Sequence, residues 1–440
     1  MKIDRRNKTL RFVLGSMDLG LVYLAYYLTI FPFNLLHESN ISLSDFVILI
    51  PFVIAVSFIL FESFGVFKYG DAGYAETIVS IAIAGLISNG IAVVIAFGLN
   101  RTMIPSKLFV ISWLMGLCLF MPYKYILHML YKKIFNIRKI VIVGTGKQVE
   151  RIQEKTNNLQ DIGYQITDVF NEVSHQALDC IRNKDGIMIG ESVSKSDRLQ
   201  LIAFGMAHQK PLYYMPDWED IVLYQSNILS IDDMAIMSVK GLQMTLDARL
   251  LKRAMDMSLA IFLLILFSPL LMMVGLAVKM EDGGPVFYRQ ERVTRHRKRF
   301  MLIKFRTMIV DAEGMTGPVM ACEKDKRVTA VGKLLRNTRL DEFPQLINVI
   351  KGEMSLVGPR PERPHFVERF EKHIANYGHR FQVKAGITGW AQVQGKYNTT
   401  PEDKLKFDLL YLTNYSLLLD MKILLQTIKI MCSPNRAQGV

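Results

Sequence analysis

Past its midpoint the chain reads Ala254-Met-Asp-Met-Ser-Leu-Ala-Ile-Phe-Leu-Leu-Ile-Leu-Phe-Ser268-Pro269-Leu-Leu-Met-Met-Val-Gly-Leu-Ala-Val278. This segment is long enough to cross a hydrocarbon core of about 30 Å. Near its middle, the proline of Ser268-Pro269 removes a backbone hydrogen bond and bends the helix, and the serine hydroxyl can satisfy a freed backbone group. Basic residues flank both ends: Arg249, Lys252 and Arg253 before it, and Lys279, Arg289 and Arg292 after it.

A spanning helix would place one of these two basic flanks outside the cell, against the positive-inside bias. We therefore predict a re-entrant helix–break–helix that enters and leaves on the cytoplasmic face. A kinked spanning helix is the alternative. It would leave everything after residue 280 outside, away from any nucleotide supply.

Four other apolar stretches lie in the first part of the chain, at about 12–33, 45–64, 77–99 and 108–130. The third has no charged residue, and the ends of the second and fourth can reach the interface through Lys107 and Lys124. Basic residues before the first stretch and after the last place both ends of an even-numbered bundle in the cytoplasm. A bundle of buried soluble helices is the alternative, but a mean hydropathy of +0.22 favours a membrane protein.

The net charge of +13 predicts an anionic partner such as lipid head groups, nucleic acid or phosphorylated substrates. The cysteines lie far apart without paired spacing, which argues against a disulfide framework and a zinc site: Cys118, Cys180, Cys322 and Cys432.

A soluble α/β composition extends from residue 139 to about 240. Lys139–Val143 predicts a buried strand followed by Gly144-Thr145-Gly146. Three more short apolar runs alternate with helical patterns such as Ser196–Gln209, which predicts a parallel sheet of Rossmann type: Gln165–Phe170, Gly186–Gly190 and Leu212–Met215. A full G-x-G-x-x-G would need glycine where Val149 stands, so we favour a structural or regulatory module without a dinucleotide.

Residues 281–310 are strongly basic. Attachment to anionic lipid accounts for Arg295, Arg297, Lys298 and Arg299. Lys304 and Arg306 differ, because they alternate with Ile303, Phe305 and Met308 as on a strand with one face directed at a site. Nucleic-acid binding is disfavoured, since the segment follows a membrane-inserted helix.

Two adjacent acids, Asp341 and Glu342, follow Arg336 and Arg339 and precede a predicted helix that begins near Pro344. The positive end of a helix favours carboxylates and phosphates alike, although many acids lie at ordinary helix starts. Farther on, the prolines beside Arg360 in Gly358-Pro359-Arg360-Pro361 stiffen the backbone in a way that suits bidentate phosphate binding. Trp390, in the glycine-punctuated run 386–396, could line a nucleotide pocket or anchor at the membrane interface.

From about 249 to 433 the chain resembles the bacterial sugar transferases of the polyprenol-phosphate phosphoglycosyltransferase type. The matching runs appear in the family's order: 284–293, Lys304-Phe-Arg-Thr-Met308, Leu340-Asp-Glu-Phe-Pro-Gln-Leu-Ile-Asn-Val349, 354–361, Gly386-Ile-Thr-Gly-Trp-Ala-Gln392, and Asp408 with Tyr411. With the four-span bundle and the middle domain, the chain looks like the long members that start capsule or exopolysaccharide repeat units.

The resemblance implies that Asp341 attacks the sugar-bearing phosphorus of a UDP-sugar and expels UMP, that Glu342 holds Mg²⁺, and that undecaprenyl phosphate takes the phosphosugar. It also implies a match of Ser268-Pro269 to the re-entrant break and a set of substrate-binding residues: Lys304, Arg306, Arg336, Arg360, Lys396, Asp408 and Tyr411.

The expected architecture is an integral membrane protein with a four-helix transmembrane bundle (1–135), a Rossmann-like domain (136–245), and a re-entrant helix with a mainly helical cytoplasmic catalytic domain (246–440). The expected location is the bacterial inner membrane, with dimerisation left open. Two other functions stay in view: a non-catalytic scaffold of polysaccharide assembly and a nucleotide-sugar modifying enzyme built on the middle domain.

Overall fold

A computed structural model describes residues 8–37, 43–67, 69, 73–99, 105–134, 138–146, 149–153, 164–224, 226–239, 241–310, 325, 327–395 and 399–431. The chain divides into two compact units, Met1–Pro216 and Asp217–Val440. Residues 217–245, which the sequence analysis gives to the middle domain, belong to the second unit.

The first unit begins with helices α1 (Lys8–His37), α2 (Leu43–Phe64), α3 (Tyr74–Gly98) and α4 (Ser106–Ile134). Segments of three of them, Thr9–Ile30, Tyr74–Gly98 and Ser106–Tyr131, are long and apolar enough to cross a membrane. The described apolar part of α2, Ile48–Phe64, is shorter. All four predicted helices are therefore present at the expected positions.

A buried ion pair links α1 to α4. The Lys124 ammonium lies 2.8 Å from a carboxylate oxygen of Asp18, and the Tyr69 hydroxyl donates to the same oxygen at 2.5 Å. All three side chains are buried. The prediction that Lys124 reaches the interface is thus wrong, because an acid on the neighbouring helix offers the ammonium a partner within the bundle.

A four-stranded parallel sheet completes the first unit. Its strands are β1 (Arg138–Val143), β2 (Tyr164–Phe170), β3 (Gly186–Ile189) and β4 (Leu212–Tyr214), in the order β2-β1-β3-β4. Helices α5 (His175–Arg182) and α6 (Lys195–Ala207) begin at Ser174 and Ser194, whose side chains accept backbone hydrogen bonds. The predicted parallel sheet is confirmed, and its assignment to the Rossmann type stays a prediction.

The second unit is mainly helical. In chain order it contains α7 (Trp218–Leu223), the hairpin β5 (Asn227–Ile231) and β6 (Met234–Ser238), α8 (Leu246–Asp282), the antiparallel pair β7 (Phe287–Val293) and β8 (Arg299–Phe305), α9 (Ala330–Thr338), a 3-10 turn (Leu340–Glu342), α10 (Gln345–Lys351), β9 (Ser355–Val357), α11 (Pro364–His373), a 3-10 segment (Tyr377–Gln382), β10 (Gly386–Thr388, parallel to β9), α12 (Trp390–Gln394), α13 (Pro401–Thr413) and α14 (Leu417–Met431).

Helix α8 is the fourth segment long and apolar enough to cross a membrane. Helical backbone continues through Ser268 and Pro269, so there is no non-helical break at this position, and a bend within the helix stays a prediction. The Ser268 hydroxyl donates at 2.8 Å to the carbonyl of Ile265, which Pro269 cannot serve because proline has no N–H. The expected compensation by the serine is confirmed.

Both ends of α8 are bonded to the rest of the second unit. Near its start, Lys252 pairs with Asp420 at 2.6 Å. At its end, the Asp282 carboxylate accepts from Arg306 Nη1 at 2.5 Å, and Glu281 accepts from the backbone N–H of Val331 at 3.1 Å. Between these ends, one side of α8 packs on the core, and the other exposes large apolar side chains, among them Phe262, Ile265, Met272 and Leu276.

Candidate active site

The acidic pair lies in the 3-10 turn between α9 and α10. Arg339, in the left-handed conformation at φ 55°, ends α9 and starts this turn. Pro344 then precedes the first residue of α10, so the acids lie directly before a helix N-terminus, as the sequence predicts. Asp341 is only 9% exposed, and Glu342 is partly buried.

The residues that flank the two acids pack against the middle of α8. The ring of Phe343 meets that of Phe267 edge-to-face at 5.1 Å. Leu340 packs against the same buried cluster as Leu270 and Leu271, a cluster that includes Val274 of that helix. These contacts fall on both sides of Pro269, so the acidic pair lies beside the apolar helix at its proline.

Three cations surround the pair. Arg360 Nη2 lies 3.1 Å from Glu342 Oε1, an ion pair between residues 18 positions apart. Arg336 is fixed by its Nε, which donates to the Thr307 hydroxyl at 2.9 Å. Lys304 places its ammonium 5.3 Å from the ring centre of Tyr288, its neighbour across the β7–β8 pair. Three of the predicted phosphate-binding residues are thus brought to the acids.

The two carboxyls have opposite pKa shifts. Burial and the adjacent charge of Glu342 raise the pKa of Asp341 to about 6, against the lowering effect of Lys304, Arg336 and Arg360. Burial also opposes ionisation of Glu342, but the charges of Arg360 and Arg339 lower its pKa overall. Glu342 is therefore the fixed anion, and Asp341 is the carboxyl that titrates near neutrality.

Lys304 is a desolvated cation. Burial lowers its pKa to about 8, although the neighbouring charge of Asp341 opposes this shift. Its ammonium is charged at pH 7, and a change in its surroundings can alter that charge within the physiological range.

Arg306 has a different environment from Lys304. Its guanidinium pairs with Asp282, and its Nε donates to the carbonyl of Pro285 at 2.7 Å. The charges that act on its pKa are those of Asp282 and Glu281. These contacts tie β8 to the end of α8, and a phosphate contact for Arg306 stays a prediction.

Asp408 and Tyr411 lie in buried networks that do not include the acidic pair. Asp408 forms an ion pair with Arg380 at 2.9 Å, and Arg380 also donates to the backbone carbonyl of Arg360 at 3.0 Å. The Tyr411 hydroxyl lies 2.8 Å from Asp420 and 3.3 Å from the carbonyl of Val357. Each side chain is 1% exposed, so these contacts indicate positioning roles, and a direct substrate contact stays a prediction.

The remaining predicted residues are placed as follows. Lys396 lies outside the described residues. Ser268 and Pro269 lie inside α8, next to the contacts of Leu340 and Phe343. Trp390 begins α12 and packs against the core of the second unit.

The sequence analysis did not predict Arg292 and Arg380 as residues of the site. Arg292 donates from Nη1 to the carbonyl of Pro361 at 3.0 Å, and burial, together with the charge of Arg360, lowers its pKa to about 10. A signal for Arg292 was available, because Tyr288, Gln290 and Arg292 alternate along β7 on the side that carries Lys304 in β8. Arg380 gave no signal, since only the fold brings it to Asp408.

A magnesium site stays a prediction, because any ion held here would need oxygens of a substrate or water to complete its ligands. Among the described residues no group of three or more His, Cys, Asp or Glu could hold a metal ion by itself. Mg²⁺ commonly takes one or two carboxylates together with substrate phosphates and water, and Asp341 and Glu342 supply that number.

The chain is similar to a protein family and to several known bacterial proteins. The family model for bacterial sugar transferases matches residues 247–434. A UDP-N-acetylgalactosamine-undecaprenyl-phosphate N-acetylgalactosaminephosphotransferase of Aeromonas hydrophila is 43% identical over 41% of this chain and 43% of its own length. A UDP-glucose:undecaprenyl-phosphate glucose-1-phosphate transferase of Escherichia coli is 32% identical over 67% of this chain and 68% of its own. An undecaprenyl-phosphate galactose phosphotransferase of Salmonella typhimurium is 33% identical over 51% and 49%.

The chain belongs to the bacterial sugar transferases. The predicted membership of the sugar transferases is confirmed at the level of this family. The matched region contains α8 except for its first residue, together with the acidic pair and the three cations near it.

Proposed function

We propose that this protein transfers a sugar 1-phosphate from a UDP-sugar to undecaprenyl phosphate through a covalent intermediate on Asp341. The observation that carries the proposal is a buried carboxyl with a pKa of about 6, surrounded by Lys304, Arg336 and Arg360 and lying against an apolar helix. The names of the relatives support the two substrates.

The reaction consists of two displacements at one phosphorus atom. A carboxylate oxygen of Asp341 attacks the sugar-bearing phosphorus, the bond to the bridging oxygen breaks, and UMP leaves. An oxygen of undecaprenyl phosphate then attacks the same phosphorus, and the carboxylate departs as the lipid diphosphosugar forms. Anionic groups must approach each other in both steps, so Lys304, Arg336 and Arg360 offset the repulsion and stabilise the leaving phosphate.

Glu342 is the residue that would hold Mg²⁺, together with phosphate oxygens of the donor. A bound magnesium ion would supply further stabilisation of the charge on the leaving group. Arg360 keeps Glu342 ionised and aligned through their 3.1 Å contact. Arg360 is itself 44% exposed at its side chain and can also contact a phosphate from the open side of the pair.

The re-entrant topology belongs to the same proposal. Lys252, near the start of α8, and Asp282, at its end, are bonded to the same compact unit. A bilayer between these ends would separate one of them from its partner. The arrangement supports a helix that dips into one leaflet, with both of its ends and the catalytic domain on the cytoplasmic side of the inner membrane of a bacterium.

The names of the relatives specify different sugars: N-acetylgalactosamine, glucose and galactose. We propose a hexose or N-acetylhexosamine donor as the class. The product is a sugar on a lipid diphosphate, which is the form that later glycosyltransferases extend into capsule or exopolysaccharide repeat units.

Trapping the intermediate tests the proposal. Purified enzyme in lipid is mixed with radiolabelled UDP-sugar in the absence of acceptor, and label on the protein is measured together with UMP. We expect an acyl-phosphate adduct in the wild type and in Glu368→Gln, an exposed acid on α11, and no adduct in Asp341→Asn. Turnover by Asp341→Asn at a rate near that of the wild type would contradict the covalent role.

A further inference from the structure

A second group of cations lies away from the acidic pair, around Gly352 at the end of α10. We call Arg249, Arg253, Arg295 and Lys384 the basic cluster. Arg253 Nη2 and Lys384 Nζ lie 3.4 and 3.5 Å from the point where a Cβ on Gly352 would stand. Arg295 acts electrostatically on Lys384, and Arg249 acts on Arg295, so the four charges are neighbours.

Thr294 holds the three segments of the basic cluster together. Its hydroxyl donates to the carbonyl of Glu353 at 2.9 Å and accepts from the backbone N–H of Ala385 at 3.1 Å. Arg295 follows Thr294 and Lys384 precedes Ala385, so this side chain fixes both cations beside Gly352. The grouping is built by the fold.

The charge of Asp256 acts on Lys384, but Asp256, Asp420 and Glu353 each have another partner. Asp420 pairs with Lys252 at 2.6 Å, Asp256 accepts from Ser355 at 2.8 Å, and Glu353 accepts from Asn348 at 2.6 Å. Within the part of the chain that the structure describes, none of the four cations forms an ion pair with an acid.

Lys384 is the member that most needs an anion. It is half-buried, and burial together with the charge of Arg253 lowers the pKa of its ammonium. A partly desolvated cation among other cations is costly unless an anion completes the group.

The position of the basic cluster indicates where such an anion comes from. Arg249 and Arg253 lie on α8 just before its apolar segment begins at Ala254, which is the level of lipid head groups. Beyond them, within the apolar segment, α8 exposes Met257, Ile261 and Phe262. Helix α10, about 10 Å long, separates the basic cluster from the acidic pair at its other end.

We propose that the basic cluster binds the phosphate of an anionic phospholipid, whose acyl chains lie along the exposed Met257, Ile261 and Phe262 of α8. The bound lipid fixes the depth of α8 in the leaflet at a site separate from the acidic pair. Arg253 also donates to the carbonyls of Val349 and Ile350 at the end of α10, so it joins the lipid site to the helix that follows the acids.

Thermal unfolding of the full chain in detergent, with added short-chain lipid, tests the proposal. Dioctanoyl phosphatidylglycerol is expected to raise the Tm, and dioctanoyl phosphatidylcholine is not. In the double variant Arg295→Gln with Lys384→Gln, the apparent Kd for phosphatidylglycerol should weaken about thirtyfold, given roughly 1 kcal/mol per basic residue. Arg369→Gln with Lys372→Gln, two exposed cations on α11, removes equal charge and should keep the wild-type Kd.

Further arms separate the sources of phosphate. An equal Tm shift with inorganic phosphate would overturn the phospholipid assignment. So would a double variant that loses binding of farnesyl phosphate but keeps binding of phosphatidylglycerol. The variant Lys384→Arg keeps the charge and should keep the shift. If the double variant fails to fold, a wild-type Kd in Lys384→Gln alone would still contradict the proposal, and a weakened Kd there would support it.

Discussion

Asp341 and Lys304 give the active site its expected pH dependence. Asp341 must be ionised to attack, and burial raises its pKa to about 6, so the rate should fall as the pH drops through that value. Lys304 must be protonated to bind phosphate, and burial lowers its pKa to about 8, so the rate should fall again as the pH rises through 8. We expect a bell-shaped profile of kcat/KM, measured from UMP release.

Two variants test which group causes each limb of the pH profile. Lys304→Arg should lose the alkaline limb, because arginine stays charged far above pH 8. Glu342→Gln should move the acidic limb to lower pH, since the charge of Glu342 helps to raise the pKa of Asp341. An unchanged profile in both variants would contradict the assignment of these groups.

Asp408 offers a test between a positioning and a substrate-binding role. It neutralises the buried Arg380, which in turn bonds to the backbone of Arg360. Asp408→Asn leaves that cation without its partner, and we expect a loss of roughly 3–5 kcal/mol in stability, measured by thermal unfolding. Normal stability with a large rise in KM for the UDP-sugar would instead indicate direct substrate binding.

At the scale of an element, α8 carries its proline beside the acidic pair. Pro269→Ala restores the backbone N–H donor to Ile265 and removes the bend that proline is predicted to cause, so the contact of Phe267 with Phe343 should loosen. We expect kcat to fall about tenfold or more. Thermal stability should not fall, because proline in a helix interior costs about 3 kcal/mol. Ser268→Ala is the matched control and removes only the hydroxyl bond, worth about 1 kcal/mol. Full activity in Pro269→Ala would show that the proline does not shape the site.

At the scale of the whole molecule, the two ends of α8 should face the same side of the membrane. Gln243→Cys and Arg289→Cys place thiols at exposed positions before and after the helix, in a chain whose native cysteines are replaced by serine. A membrane-impermeant thiol reagent should label both in inverted vesicles and neither in intact cells. Labelling from opposite sides would replace the re-entrant topology with a spanning one.

The sequence determined the elements whose physical cause is local. Apolar length predicted α1, α3, α4 and α8, and short apolar runs predicted the strands of the parallel sheet within one or two residues. Proline and acids predicted the start of α10. The alternation of charged and apolar residues along one strand also predicted Lys304 as a site residue, because a period of two is a property of the chain itself.

Only the tertiary structure decided which charges meet. Lys124 forms an ion pair with Asp18 on another helix, Arg306 with Asp282, and Asp408 with Arg380. The basic cluster and the three cations near Asp341 are likewise formed by strands, helices and loops far apart in the chain. Pairing of this kind depends on distances across the folded core, and burial then sets the strength and pKa of each group, so no sequence pattern carries it.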